Sequence, residues 1–177
     1  MYEDLSIIFY PDPRLRKVSE PVTVFDDNLA ALAARMTELM HAERGVGLAA
    51  PQVGVNLRMF VTNHTGQPGD DRVVVNPRLQ DAEGSEIDEE GCLSLPKIRA
   101  EVDRATRLRL IAQDVRGRPY EEVGEDFLAR VWQHEFDHLN GVMLIDRMNT
   151  VARMAVRKKL KELEAEFAPR PRRRLFT

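Results

Sequence analysis

The run His134, Glu135, Phe136, Asp137, His138 is an HExxH pattern. On a helix, residues four apart stand one above the other, so the two imidazoles would converge on a metal ion, with Glu135 able to reach water held there. The chemistry implied is metal-assisted hydrolysis. Two histidines on the wet face of an amphipathic helix would give the same pattern. Phe127 and Val131, seven and three positions before His134, share that face and favour an inward orientation.

A catalytic metal typically takes three protein ligands and keeps one position open. The continuation that would supply a third histidine fails, because Leu144 stands at that position. A downstream carboxylate from Glu162, Glu164 or Glu166 would complete a zinc endopeptidase, but these residues lie among lysines on a later, peripheral-looking helix. Cys92, in the run Glu90, Gly91, Cys92, Leu93, Ser94, is the better candidate: a thiolate binds zinc or ferrous iron well, and glycine lets backbone approach. Its ordinary alternative is a small buried hydrophobe.

Several elements must position these groups. Asp26 or Asp27 can cap a first helix with Leu29, Leu32, Ala33, Met36 and Leu39 on its inner face, ended by Gly45. The glycine-rich stretch 45–54 reads as a loop or irregular strand. Short strands are expected at 57–62, 72–76, 98–102 and 107–112, with 120–123 pairing back as a hairpin. A helix over about 125–140 carries HExxH, with Phe127, Leu128, Val131 and Trp132 inward and Gly141 as its stop. Another starts near Asn149 or Thr150, keeps Val156, Leu160, Leu163 and Phe167 on one face, and cannot pass Pro169. The expected fold is α+β: short antiparallel sheets packed around the central HExxH helix, with one helix toward each end of the chain.

At 177 residues, 43% hydrophobic and 31% charged, the chain suits one domain over 1–168, with a basic, flexible tail at 169–177. It offers no apolar run long enough to span a bilayer, and no signal-peptide pattern. One cysteine excludes an internal disulfide, so a reducing cytoplasm is the expected location. Residues 153–177 hold nine Lys and Arg against three Glu, whereas 1–152 hold 17 basic against 26 acidic side chains. That asymmetry is consistent with an acidic partner for the C-terminal helix, and equally with a solvated charged face.

Three separated segments, GVGLAAPQVG at 45–54, EGCLS at 90–94 and QHEFDHLNG at 133–141, resemble the three motifs of the peptide deformylase family, in the family's order and spacing. The likeness extends over nearly the whole chain and is closest to the compact bacterial or organellar type. It implies removal of the formyl group from the N-terminal methionine of nascent polypeptides, releasing formate. It also implies one divalent metal on Cys92, His134 and His138, physiologically Fe2+, with Zn2+, Ni2+ or Co2+ able to substitute.

By the same resemblance, Glu135 serves as base and then acid, while Gln52 and the backbone N–H of Leu93 stabilise the oxyanion. Val46, Gly47 and Gly91 pair with the substrate backbone. Val46, Phe127 and Val131 wall the methionine pocket, with Arg99 near its rim. Asp137 is expected to pair with Arg104 and so fix the helix. The basic helix would contact ribosomal RNA, and the protein is expected to be a monomer.

Overall fold

The computed structural model describes residues 2–167; the basic tail expected at 169–177 lies outside them. Helix α1 spans Asp27–Ala42, and the Asp26 carboxylate accepts the Leu29 N–H at 3.0 Å, satisfying one of the orphan donors of the first turn. Strands β1 (Gly47–Ala49), β2 (Met59–Thr62), β3 (Arg72–Glu83), β6 (Arg107–Gln113) and β7 (Pro119–Glu125) form a five-stranded antiparallel sheet in the order β1-β2-β3-β6-β7. Strands β4 (Glu86–Gly91) and β5 (Arg99–Arg104) form a separate antiparallel pair. Helices α2 (Asp126–Leu139), α3 (Leu144–Arg147) and α4 (Thr150–Phe167) complete the chain. The architecture is the expected α+β arrangement.

The glycine-rich stretch resolves into β1 followed by a 3-10 turn at Ala50–Val53. Strand β3, expected over 72–76, runs on past Asn76 and through Pro77 to Glu83. The register with β6 shifts between Val75 and Arg78, so the proline falls at a bulge, where no ladder N–H is required of it. Strand β4 went unread because Glu86, Asp88, Glu89 and Glu90 give it an acidic composition. It is half of a two-stranded sheet, and most of its side chains face water.

Helix α2 carries the packing between layers: Ala129, Trp132 and Leu139 meet Phe60, Val74, Leu108 and Leu110 of the large sheet. On the other side of that sheet's β1-β2 end, Leu32, Met36 and Met40 of α1 pack with Leu48, Met59 and Val61. Val156, Leu160 and Leu163 of α4 pack on Leu95, Ile98 and Ile145, as the helical spacing predicts. Gly141 ends α2 at a φ of +70°, and a Cβ there would lie 2.5 Å from the Arg16 carbonyl oxygen, so this stop demands glycine on two counts. Among the described residues, no helix is long and apolar enough to cross a membrane.

Candidate active site

Three elements deliver the reactive groups. Cys92 follows the last residue of β4, His134 and His138 lie one turn apart on α2, and Gln52 sits in the 3-10 turn after β1. Candidate ligand atoms of Cys92, His134 and His138 lie within 4.8 Å of one another, with Cys92 Sγ 3.3 Å from His138 Nε2. His134 Nδ1 is 2.9 Å from Glu90 Oε2, which leaves its Nε2 for the cluster. Sulfur and two imidazole nitrogens from three converging side chains are a donor set that suits zinc or ferrous iron.

The two imidazoles sit in opposite electrostatic environments. His138, 1% exposed, is held well below the usual imidazole range by burial and by the neighbouring His134, so it stays neutral, the form that binds metal. For His134, burial opposes protonation, but hydrogen bonds to Cys92 and Glu90 outweigh it and raise its pKa. Metal binding at His134 would therefore displace a proton, since only the neutral imidazole is a ligand.

Glu135 is 4% exposed, and burial pushes its carboxyl up to about 7. Its Oε2 has no hydrogen-bond partner among the described residues. A Cβ on Gly47 would lie 2.4 Å from Glu135 Oε1, so the glycine is what admits this carboxyl beside β1. The Gln52 amide is oriented at both ends: Oε1 accepts from Ala49 N–H at 2.8 Å, and Nε2 lies 3.6 Å from Cys92 Sγ and 3.3 Å from Ser94 Oγ.

A cavity of about 900 Å³ opens over these groups. Gln52, Cys92, Leu93, His134 and Glu135 line it, and so do Val46, Gly47, Gly91, Arg99, Phe127 and Val131. All the sequence-predicted site residues are thus on its wall except His138, which lies behind. One orientation needs correction: Phe127, read as inward-facing, is 49% exposed, because it begins α2 at the cavity mouth rather than over the sheet. Arg99 is at the rim, paired with Glu89 at 2.6 Å.

The carboxylates of the endopeptidase alternative do not join the metal-binding group. Glu162 and Glu166 line the far wall, and Glu164 accepts a hydrogen bond from Tyr10 at 2.6 Å.

Behind the histidines lies a buried ionic cluster that the sequence reading found only in part. The expected Arg104–Asp137 pair is present at 2.6 Å. Glu90 was missed: its Oε1 accepts from Arg104 Nε and Arg130 Nη1, both at 2.9 Å, and its Oε2 from Arg104 Nη2 at 3.0 Å and His134. Burial works to raise the Glu90 pKa, but hydrogen bonds from His134 and Arg104 prevail and lower it to about 2. Arg130 and Arg147, the latter on Asp137, were also missed. The signal for Arg130 was its spacing, four residues before His134 and hence on the same helical face.

Comparison with known proteins gives a consistent result. A family model described as polypeptide deformylase matches residues 5–154. The peptide deformylase of Thermotoga petrophila is 47% identical over 155 residues, 87% of this chain and 93% of that one. That of Alkalilimnicola ehrlichii is 43% identical over 160 residues, 90% of each chain. Among solved structures, a peptide deformylase from Legionella pneumophila superposes with a TM-score of 0.86 at 41% identity, covering 94% of this chain and 99% of that one. Peptide deformylase 1B of Arabidopsis thaliana, in complex with an inhibitor, gives 0.88 at 38% identity over 92% of both. With the fold, the length and the three motifs in agreement, this chain belongs to the peptide deformylase family.

Proposed function

We propose that the chain hydrolyses the formyl amide at the N-terminal methionine of nascent polypeptides, using Cys92, His134 and His138 to hold one divalent metal. The observation that carries this reading is the meeting of that donor set with the unpartnered Glu135 Oε2 in one cavity. A divalent cation there would supply Lewis acidity, lowering the pKa of water toward neutrality so that hydroxide is available as the nucleophile.

The protein's own groups do the rest. Glu135 takes the proton of the attacking water and delivers it to the departing amine, so the C–N bond breaks and formate leaves a free N-terminus. Gln52 Nε2, fixed through its carbonyl by Ala49, and the Leu93 N–H are the donors for the negative charge that develops on the formyl oxygen. Val46, Gly47 and Gly91 hold the substrate backbone as an added strand, which accepts many sequences. The methionine side chain goes between Phe127 and Val131, with Arg99 at the rim.

Ferrous iron is the metal we favour, with Zn2+, Ni2+ or Co2+ as substitutes, since thiolate and imidazole suit all of them. We further read the enzyme as a cytoplasmic monomer whose exposed Arg153, Arg157, Lys158, Lys159 and Lys161 on α4 contact ribosomal RNA phosphates.

The test is anaerobic reconstitution followed by formate release from a formyl-Met tripeptide. Glu135→Gln should retain metal and lose turnover by roughly 10²–10⁴-fold, whereas Cys92→Ala should lose the metal itself. Metal and activity retained by Cys92→Ala would overturn the reading.

A further inference from the structure

Arg130 belongs to neither the ligand set nor the proton-transfer groups, yet it is one of the most constrained polar side chains in the molecule. It stands one turn before His134 on α2 and is buried. Its Nη1 donates to Glu90 Oε1 and to the Val102 carbonyl, both at 2.9 Å, and its Nη2 donates to the Glu86 carbonyl at 2.7 Å. Glu86 and Glu90 are on β4 and Val102 is on β5, so a single guanidinium joins α2 to both strands of the hairpin.

That placement has a consequence at the site. Strand β4 runs directly into Cys92, whereas α2 carries both histidines. The distance between sulfur and imidazoles is set by how β4 sits on α2. Arg104, at the end of β5, ties Glu90 to α2 at Asp137, beyond His134; Arg130 ties it to α2 one turn before His134, so the two guanidiniums fix the hairpin on either side of that ligand. Glu90 then holds the His134 ring through Nδ1. We propose that Arg130 is a positioning residue for the metal site, setting the thiolate and the His134 imidazole relative to each other by clamping Glu90 and β4 onto α2.

The clamp depends on the planar fork. An ammonium at this position could meet the carboxylate or a carbonyl, but could not reproduce the three fixed contacts. Loss of a group that orients a metal ligand typically costs 10–100-fold in metal affinity.

The inference rests on the metal-site reading above, and cobalt(II)-reconstituted protein separates the two. If Cys92→Ala binds cobalt as wild type does, the ligand assignment falls, and this inference with it. If Cys92→Ala loses cobalt while Arg130→Lys keeps it, this inference alone falls. Arg130→Lys should weaken cobalt binding, read by chelator competition, by roughly 10–100-fold, and should alter the sulfur-to-cobalt absorption band. In the cobalt-loaded enzyme it should lower kcat more than it raises KM, since a role confined to lining the cavity would appear in KM.

Glu90→Gln should weaken cobalt binding in the same way, and Arg130→Lys added to it should cost less than it does alone, because the two share the Glu90 contact and only the Glu86 and Val102 contacts remain to be lost. Additive losses in that double variant would overturn the proposal. So would an Arg130→Lys protein that unfolds earlier in urea but keeps wild-type cobalt affinity and spectrum. Should Arg130→Lys not fold, Glu90→Gln with unchanged cobalt affinity decides against the clamp.

Discussion

Arg104 closes β5, and Arg107 and Arg109 lie just beyond it on β6, yet the two groups work in opposite regimes. Arg104 is buried between Glu90 and Asp137, in a cluster that also holds Arg130 and reaches Arg147. Arg109 spans Asp81 at 2.7 Å and Glu121 at 2.9 Å, and Arg107 reaches Glu83 and Glu125 at 3.3 Å, on the water-facing side of the large sheet. In water a pair's attraction is largely cancelled by solvation already available to each partner, so an exposed ladder contributes little. In the buried cluster each group has surrendered its water, and removing one leaves the others with no replacement. The same residue types, a few positions apart, therefore give a solvated surface in one case and a rigid backing for the histidines in the other.

The contrast is sharpest at Glu90. Glu90→Ala removes the acceptor of four donors and leaves Arg104 and Arg130 buried against each other. The expected loss is about 3–5 kcal/mol of unfolding free energy. It should be read from the urea midpoint in the presence of chelator, so that metal binding does not contribute to the difference. A change below about 1 kcal/mol would place this cluster with the surface ladder and remove the distinction.

Asp137→Asn is milder, since the amide keeps its size and one acceptor while Arg104 keeps Glu90. The expected loss is about 1.5–3 kcal/mol, the range for a hydrogen bond to a charged partner. Arg147, the more exposed partner, can turn to water. If Asp137→Asn costs more than Glu90→Ala, Asp137 rather than Glu90 is the centre of the cluster.

The sequence reached some of this and missed the rest for physical reasons. HExxH on a helical period located both histidines, and the structure contains the expected pairing of Asp137 with Arg104. The inward faces of α1 and α4 followed from spacing because each buries one stripe. Strand β4 did not follow, since its acidic side chains face water and leave no alternation to read. For Arg130 the helical spacing gave only its face: its partners are two backbone carbonyls and a carboxylate from a distant hairpin, and no local pattern encodes a long-range acceptor. Phe127 was misplaced because the periodicity assigns a face but not what covers it, and at the first turn of α2 that face opens onto the cavity. The cavity itself joins segments from both ends of the chain, so its wall on α4 could not be read from spacing.

The smallest effect should come from the ladder. Arg109 is the most connected of its cations, bonded to Asp81, Glu121 and the Gln80 side chain. Its pKa is raised, chiefly by the hydrogen bonds it donates to Asp81 and Glu121, but with solvent on every partner that shift is not a measure of stability. Arg109→Ala should move the thermal midpoint by less than about 2 °C, and raising the salt concentration should shrink even that. Cobalt affinity should be unchanged, because the ladder lies across the sheet from Glu90 and shares no partner with it. A shift as large as that of Glu90→Ala, persisting in high salt, would mean that the charges on β6 act as a coupled network with the site, and that burial is not what separates the two groups of arginines.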